Sequence, residues 1–251
     1  MAEGNREGNK PQGVRRPASL FRFLPTLRHA FRNPIFLQHI LRLVWISRIV
    51  PELKGCVIDI GSGPGTFGKW YTGARRVVTT DLPATSRLFK GNPPEVWADG
   101  RALPFLDGVF DNGTCWEVLE HLPDPDRLLV EAARVLRSGG RLVLSAPMAW
   151  ELHGEPHDYW RFTPHGIRYL AEKSGFRVRE IHPTSGTVAL IGQNLSVFIA
   201  VYLGRGNKIL LFLLRPLFGI AQLVALTLDL LFGRRGHSLH HVAVLERVKG
   251  S

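Results

Sequence analysis

The chain has 251 residues, enough for one complete α/β domain with appendages. Its two cysteines, Cys56 and Cys115, fall in predicted buried strands, so they indicate small core side chains and a reducing compartment, not a disulfide or a metal pair. The formal net charge of +11 is concentrated in residues 1–54, with 10 basic and 3 acidic side chains, and residues 201–251, with 7 and 2. Basic flanks around a nearly neutral middle suit a polyanion, either nucleic acid or an anionic membrane surface.

The first 54 residues divide into two predicted segments. Residues 1–19 are rich in Gly, Asn, Arg and Pro, which predicts a disordered basic arm without the apolar core of a secretory signal. Between Leu20 and Val50, apolar side chains recur at helical spacing with arginines between them, which predicts two amphipathic helices broken near Asn33-Pro34. Residues 20–54 are expected to form a helical cap that packs on the domain or lies on a membrane.

A glycine-rich stretch, VIDIGSGPGTFG, runs from Val57 to Gly68. Its β-branched start predicts a buried parallel strand, and glycines at 61, 63 and 65 let the chain turn and admit a ligand without meeting a Cβ. Thr66 to Tyr71 are expected to begin a helix, which completes the strand, turn and helix N-terminus of nucleotide sites. Asp59, at the end of the strand, would repel a pyrophosphate but suits a ligand that carries an ammonium group.

Strands and helices alternate along the middle of the chain, which predicts a parallel sheet with right-handed crossovers. Asp81 ends the second strand about 20 residues after the glycine turn, where an acidic residue is well placed to bind both ribose hydroxyls. Helices are expected from Pro125 to the Ser138-Gly139-Gly140 stop and from Ile167 to Lys173. The predicted strands cover residues 55–60, 77–80, 96–98, 110–115, 142–146, 176–181 and 241–248.

Several separate stretches resemble the motifs of one protein family, and they occur in the same order along the chain. The glycine stretch resembles motif I of the class I S-adenosylmethionine (AdoMet)-dependent methyltransferases, and ADGRALPF, from Ala98, resembles the loop whose acidic residue holds the adenine amino group. EVLEHLPDPDRLLVEAARVLRSGGRLVLSAP is similar to the region after motif II in small-molecule methyltransferases of the ubiquinone/menaquinone-biosynthesis-like group. The resemblance, from Gly55 to Pro147, implies a Rossmann-like α/β fold, with a doubly wound, mostly parallel seven-stranded sheet. N-terminal helices and a helical insertion before the last strand would be added to it.

The implied cofactor is AdoMet. The methionine moiety is assigned to Asp59 and the glycine loop, the ribose to Asp81 and, from the resemblance, the adenine to Asp99. The expected cofactor-binding residues are Asp59, Gly61, Ser62, Gly63, Asp81, Leu82, Asp99, Gly100 and Trp116.

The stretch WELHGEPHDYWRFTPH, residues 150–165, follows the fifth strand at the edge where open α/β sheets bind their ligands. One interpretation is a polar loop that covers the site and caps the next helix with Thr163-Pro164. The other is catalytic, with His157 as general base and with Tyr159 and Arg161 positioning a polar or anionic acceptor. The candidate catalytic residues are His157, Asp158 and Tyr159.

A metal site in the same stretch would use His153, Glu155 and His157. Their spacing matches no recognised zinc pattern, and no cysteine joins them. No metal is therefore expected from the sequence.

An apolar insertion separates the sixth and seventh predicted strands, over residues 188–238. Its second run, Ile209 to Phe232, reaches the length of a spanning helix only by burying Arg215 or Asp229, at roughly 2.5–3.5 kcal/mol each. The preferred prediction is a helical hairpin in one leaflet; a soluble lid or dimer interface and true spanning helices are the alternatives. The basic residues expected to flank the hairpin are Arg205, Lys208, Arg234 and Arg235.

These expectations combine into one interpretation. Residues 1–19 form the arm, 20–54 the cap, 55–187 with 239–251 the methyltransferase domain and 188–238 the insertion. The expected activity is AdoMet-dependent methylation of a small or lipid-linked acceptor by a cytoplasmic protein, peripheral on the inner face of the membrane. The alternatives are a nucleic-acid methyltransferase and a non-catalytic module that binds a membrane or a partner. Nucleic acid is disfavoured because Asn92-Pro93-Pro94 lacks the aromatic residue of the amino-methyltransferase tetrad and precedes the third strand.

Overall fold

The computed structural model describes residues 29–64, 67–88, 92–204, 207–232 and 236–248. Seven strands form one sheet: β1 (Gly55–Ile60), β2 (Ala74–Asp81), β3 (Val96–Trp97), β4 (Phe110–Trp116), β5 (Leu136–Pro147), β6 (Phe176–Pro183) and β7 (His240–Arg247). Their spatial order is β3-β2-β1-β4-β5-β7-β6, and β7 alone runs antiparallel to its neighbours. The α/β fold with a mostly parallel seven-stranded sheet is thereby confirmed.

The described residues include five α-helices: α1 (Phe36–Ile49), α2 (Pro125–Val135), α3 (Pro164–Lys173), α4 (Thr187–Val197) and α5 (Lys208–Phe232). The arm predicted over residues 1–19 and most of the first cap helix lie outside the described residues, as do Arg205, Arg234 and Arg235.

Alternation of side chains along the strands gives the sheet two apolar faces. Ile58 of β1 is buried on the face covered by α2 and α3, together with Leu128 of α2. Its neighbour Val57 is buried on the opposite face, against Ile46 of α1. The second cap helix therefore packs on the sheet, and both faces of the parallel strands are shielded, as such strands require.

The prediction of a helix after the glycine turn was wrong. Among the described residues between the glycine turn and β2, the helical structure is a single 3-10 turn, Gly68–Trp70. The reason is that β2 begins at Ala74, three residues earlier than expected, and Gly73 packs so closely that an added Cβ would lie 2.3 Å from the carbonyl oxygen of Pro51. The chain therefore enters β2 directly after this turn.

The insertion folds as a helical hairpin of α4, the π-helical segment Phe198–Leu203, and α5. It is tied to α1 by two glutamines that are fully buried. Gln222 Oε1 accepts the Leu37 N–H at 2.8 Å, and Gln193 Oε1 accepts the Gln38 N–H at 2.9 Å. First-turn N–H groups have no partner within their own helix. The insertion therefore caps α1, although the two segments are about 150 residues or more apart in sequence.

Of the helices described here, α5 is the one long and apolar enough to cross a membrane by length and composition. Its one acidic residue, Asp229, is buried and turned into the protein. The Asp229 carboxylate accepts the N–H of Gly186 with both oxygens at 3.0 Å and that of Ala189 at 3.2 Å. Asp229 therefore caps the N-terminus of α4, where a negative charge is favourable.

Candidate active site

The glycine turn after β1 is built from backbone conformations that other residues rarely adopt. Gly61 and Gly63 have φ angles of +69° and +59°. A Cβ at Gly61 would lie 2.4 Å from Cγ2 of Val118, whereas one at Gly63 would meet no described atom within 4 Å. The turn is therefore packed on its inner side and open above Gly63, where a ligand can approach the backbone.

Asp81 joins this turn to the end of β2. The N–H of Gly63 donates to Asp81 Oδ2 at 2.8 Å. The other carboxylate oxygen, Oδ1, accepts the N–H of Leu82 at 2.8 Å and the hydroxyl of Thr85 at 2.7 Å. Ser62 is buried in the same turn. Asp81, which the sequence predicts to bind the ribose, thus lies at the carboxyl edge of the sheet, with both of its oxygens held by hydrogen bonds.

The two glycines give a paired prediction. Gly61→Ala should lower the free energy of unfolding by about 2–3 kcal/mol, because backbone strain adds to the clash with Val118. Gly63→Ala should cost only about 1–2 kcal/mol of strain but should weaken AdoMet binding, because its methyl would occupy the ligand's approach. Urea unfolding and calorimetry separate the two effects. AdoMet binding by Gly63→Ala at wild-type affinity would contradict this geometry.

Asp59 lies beneath the turn and is only 3% exposed. The hydroxyl of Thr114 donates to Asp59 Oδ1 at 2.7 Å, and the Tyr71 hydroxyl lies 2.6 Å from the same Thr114 oxygen. Burial raises the pKa of Asp59 to about 6, against the hydrogen bond from Thr114 and with added repulsion from Asp81. The two neighbouring carboxylates thus create a negative potential that a cationic ligand would relieve.

The raised pKa of Asp59 predicts a pH dependence of stability. Between about pH 4 and pH 6 the folded chain retains a proton that the unfolded chain loses, so the contribution of this group falls as pH rises. Asp59→Asn should match wild type near pH 4 and exceed its unfolding free energy by about 3 kcal/mol at pH 7. Denaturant titrations of both proteins across this range measure the difference. A difference that does not change with pH would contradict the assignment.

The loop after β3 carries Asp99 and Gly100, which the sequence predicts to contact the adenine. The Asp99 carboxylate pairs with the Arg101 guanidinium, with Oδ2 2.7 Å from Nη2, and Arg101 lowers the pKa of Asp99. Gly100 lies where an added Cβ would be 2.9 Å from a methyl carbon of Ile60 and of Leu128. Asp99 is only partly buried. It therefore lies at the sheet edge with its charge already shared by an arginine.

These residues fit AdoMet. AdoMet carries a sulfonium and an ammonium group, and the repulsion between Asp59 and Asp81 favours a cation beside them. The open space over Gly63 admits a ligand to the backbone. At the end of β4, the Trp116 side chain is 5% exposed, and its indole N–H has no hydrogen-bond partner within the described residues.

Comparison with known proteins agrees with this geometry. Residues 58–144 match the family model described as a methyltransferase domain. That range begins in β1 and ends in β5, so it contains every predicted AdoMet contact. The chain contains a class I AdoMet-dependent methyltransferase domain.

Two curated relatives and one solved structure show the range of similarity. An uncharacterized methyltransferase of Mycobacterium sp. (strain KMS) is 38% identical over 94 residues, covering 36% of this chain and 37% of that protein. A ubiquinone biosynthesis O-methyltransferase of Xanthomonas oryzae is 31% identical over 157 residues, covering 56% and 65%. An S-adenosylmethionine dependent methyltransferase of Mesorhizobium loti shares the fold, with a TM-score of 0.53 at 17% identity over 84% of this chain and 100% of that one. The chain spans a little over a third of the length of the Mycobacterium relative.

A partly buried ion pair between Asp158 and Arg161 orders the loop after β5. Asp158 accepts two hydrogen bonds from the Arg161 guanidinium, at 2.7 and 2.8 Å, and one from the N–H of His153 at 2.9 Å. The Arg161 hydrogen bonds hold the pKa of Asp158 well below its usual range. This pair orders the loop, so both side chains are already engaged within the protein.

His157 and Tyr159 are the exposed members of the predicted catalytic set. His157 Nδ1 lies 3.1 Å from the Tyr159 hydroxyl, and the Tyr159 N–H donates to the Glu120 carbonyl oxygen at 2.8 Å. The loop thereby rests on the 3-10 turn Leu119–His121 that follows β4. The roles of His157, Asp158 and Tyr159 in catalysis remain predictions.

Glu117 is a site residue that the sequence did not single out. It has a φ of +55°, a conformation that is rare for a residue with a side chain and is often found at functional sites. Its Oε2 lies 2.9 Å from Nε2 of the buried His240, and its Oε1 accepts the Ser145 hydroxyl. Burial alone would raise the pKa of Glu117, but His240 lowers it. No local pattern pairs these residues, because His240 comes from β7.

Proposed function

We propose that this chain transfers the methyl group of AdoMet to a small or lipid-linked acceptor at an anionic membrane surface. The observation that carries the methyl-transfer part is the glycine turn held by Asp81, open above Gly63. When bound, AdoMet supplies a methyl group that its sulfonium has already activated. The residues of this chain would therefore act mainly by binding and orientation.

The proposed division of roles follows the edge of the sheet. Asp81 would accept the ribose hydroxyls, and the backbone at Gly63 would approach the ligand most closely. Asp59 would contribute a negative potential from below, since it is almost fully buried. Asp99 would accept the adenine amino group, in exchange for part of its pairing with Arg101. His157, exposed in the loop above, would take a proton from the acceptor.

Two observations support a small or lipid-linked acceptor: the name of one similar protein and an exposed apolar surface of the hairpin. One similar protein is named for ubiquinone biosynthesis, which suggests a small-molecule acceptor. The hairpin exposes many large apolar side chains, which together are called its apolar face. Each of them is more than a third exposed to solvent: Ile191, Leu195, Phe198, Val201, Tyr202, Leu203, Ile209, Leu210, Phe212, Leu213, Leu217, Ile220, Val224, Leu230, Leu231 and Phe232. This concentration of exposed large apolar side chains on one hairpin exceeds the singly scattered ones of an ordinary soluble surface, and it supports an interaction site here.

Basic residues accompany the hairpin's apolar face. The Arg215 guanidinium lies 5.1 Å from the centre of the Phe212 ring. Arg32 and Arg215 both line a shallow groove of about 310 Å³ beside Phe212 and Leu213. Cations next to exposed apolar side chains suit an anionic leaflet, where the apolar face inserts and the arginines meet headgroups. The polar residues Gln193, Gln222 and Asp229 are buried and bonded within the protein, so they do not oppose insertion.

Methyl transfer is tested with radiolabelled AdoMet and a membrane lipid extract. Label should enter an extractable product with the wild-type chain and not with Asp81→Ala. Calorimetry should show AdoMet binding in the absence of any acceptor. A chain that binds AdoMet but labels nothing in the extract would retain the cofactor assignment and remove the lipid acceptor.

Membrane association is tested with vesicles that contain an anionic phospholipid. The wild type should sediment with them, and the double variant Leu213→Glu/Leu217→Glu should lose at least about 10-fold in binding, since two exposed apolar side chains become charged. Val130→Glu is the matched control, because Val130 is 54% exposed on α2, outside the hairpin. Equal vesicle binding by all three proteins would contradict membrane association of the hairpin. So would a wild-type dimer, observed without lipid, that the double substitution converts to monomers.

A further inference from the structure

The structure brings together three potential metal ligands that the sequence analysis did not group. Glu120 and His121 come from the 3-10 turn after β4, and His153 comes from the loop after β5. One side-chain ligand atom from each lies within 4.8 Å of the other two. We propose that Glu120, His121 and His153 form a binding site for a divalent transition metal ion such as Zn²⁺.

The strongest observation in favour of this site is the buried carboxylate of Glu120. Its side chain is 0% exposed, and neither carboxylate oxygen has a hydrogen-bond partner among the residues the structure describes. A buried carboxylate without hydrogen bonds is costly, and proteins pair it, protonate it or use it to hold a cation.

Both histidines present the correct nitrogen to this carboxylate. Nε2 of His121 lies 3.9 Å from Glu120 Oε1, and Nε2 of His153 lies 3.8 Å from the same oxygen. These gaps are too long for hydrogen bonds. Ligands about 2.1 Å from a tetrahedral ion lie about 3.4 Å apart, so each histidine needs to move only a few tenths of an ångström closer to Glu120 to share an ion with it. The ligand atoms of the two histidines lie within 4.8 Å of each other and would also have to approach.

The outer nitrogens of the two rings are already engaged. Nδ1 of His121 lies 2.7 Å from the carbonyl oxygen of His157, and Nδ1 of His153 lies 3.1 Å from that of Glu151. A carbonyl can only accept, so each Nδ1 carries a proton, and in the neutral ring each Nε2 offers its lone pair on the side of Glu120. This second layer of hydrogen bonds is the arrangement that orients metal-binding imidazoles.

The loop is fitted closely against this cluster. Gly154 has a φ of +67°, and a Cβ there would lie 2.9 Å from Cε1 of His121. The N–H of His153 is fixed by Asp158, which Arg161 holds in place. The ion pair that orders the loop thus also sets the position of His153.

Two imidazoles and one carboxylate are a ligand set that binds zinc and leaves a fourth position open. The side chains of His121 and His153 are 30% and 33% exposed, so an ion between them would be reachable from solvent. An oxygen of the acceptor could take the open position and have its pKa lowered there, a step that rests on the proposed function. The binding of the ion does not depend on that function.

The test is calorimetric titration of the chelator-treated full chain with Zn²⁺, together with the visible absorption of the Co²⁺-loaded protein as a measure of coordination geometry. The wild type should bind one ion per chain. Glu120→Gln and His153→Gln should each weaken binding by about 100-fold or more, because a missing ligand should cost at least as much as a missing outer-shell partner. Thermal melts without metal show whether each variant folds, and Glu120→Gln should be at least as stable as wild type because it removes a buried charge.

His157→Ala is the matched control. It retains the carbonyl that His121 uses but removes the imidazole that the sequence alone would have chosen as a ligand. Its Zn²⁺ affinity should stay within about 3-fold of wild type, as expected for a side chain outside the ligand set. The proposal fails if the wild type binds no stoichiometric ion, if Glu120→Gln binds as well as wild type, or if His157→Ala loses the site. Because AdoMet binding is measured without metal, a failure here is distinguishable from a failure of methyl transfer.

Discussion

Replacing Asp81 with alanine is expected to weaken AdoMet binding by at least about 100-fold. The carboxylate would supply two charge-assisted hydrogen bonds to the ribose, each contributing about 1.5–3 kcal/mol. It also holds the glycine turn through the N–H of Gly63, so the alanine variant loses both the ligand contact and the order of the turn. Isothermal titration of the purified chain with AdoMet measures the change directly.

Two further variants separate these contributions. Asp81→Asn keeps an oxygen that can accept the Gly63 N–H but loses the charge, so its affinity should fall between those of wild type and Asp81→Ala. Glu95→Ala removes a carboxylate that is 46% exposed and pairs with Arg76, and it should leave binding unchanged. Wild-type affinity in Asp81→Ala would remove the ribose assignment.

Replacing Asp229 with alanine should lower the free energy of unfolding by about 3 kcal/mol. The variant leaves the N–H groups of Gly186 and Ala189 buried without their acceptor, and each unsatisfied donor costs about 1–3 kcal/mol. It also removes the negative charge at the N-terminus of α4. Urea unfolding gives the total effect, and limited proteolysis shows whether the hairpin opens first.

Thr227→Ala is the control on the same helix. The Thr227 hydroxyl is exposed and bonds back to the carbonyl of Leu223, so its loss should change stability by less than about 0.5 kcal/mol. If Asp229→Ala unfolds like Thr227→Ala, the carboxylate does not hold the hairpin, and the interior docking of α5 seen here is wrong.

Much of the cofactor edge was predictable from local pattern. The β-branched run before Gly61 and the acidic residue at the end of the second strand are properties of short segments, and parallel pairing of β1 with β2 brings them together. The strand after the turn was less predictable. Its start at Ala74 depends on close packing of Gly73 against the carbonyl of Pro51, a contact that strand propensity does not encode.

The loop of residues 150–165 shows where side-chain chemistry misleads. Its density of His, Asp, Tyr and Arg indicates catalysis, yet Asp158 and Arg161 pair with each other and hold the loop. Glu120, within a stretch quoted only for its family resemblance, is instead a fully buried carboxylate with no hydrogen-bond partner among the residues that the structure describes. Exposure and pairing assign these roles, and neither can be read from residue type.

The amino-acid sequence by itself determined the class of this protein, because the order of strands and helices, the glycine turn and the acidic residues at the strand ends are all features of short segments. Only the tertiary structure decided which distant groups meet. Gln222 caps α1, Asp229 caps α4, His240 pairs with Glu117, and His153 faces Glu120. The physical reason is that a buried polar group must find a partner wherever the fold supplies one, and that partner is set by packing and not by distance along the chain.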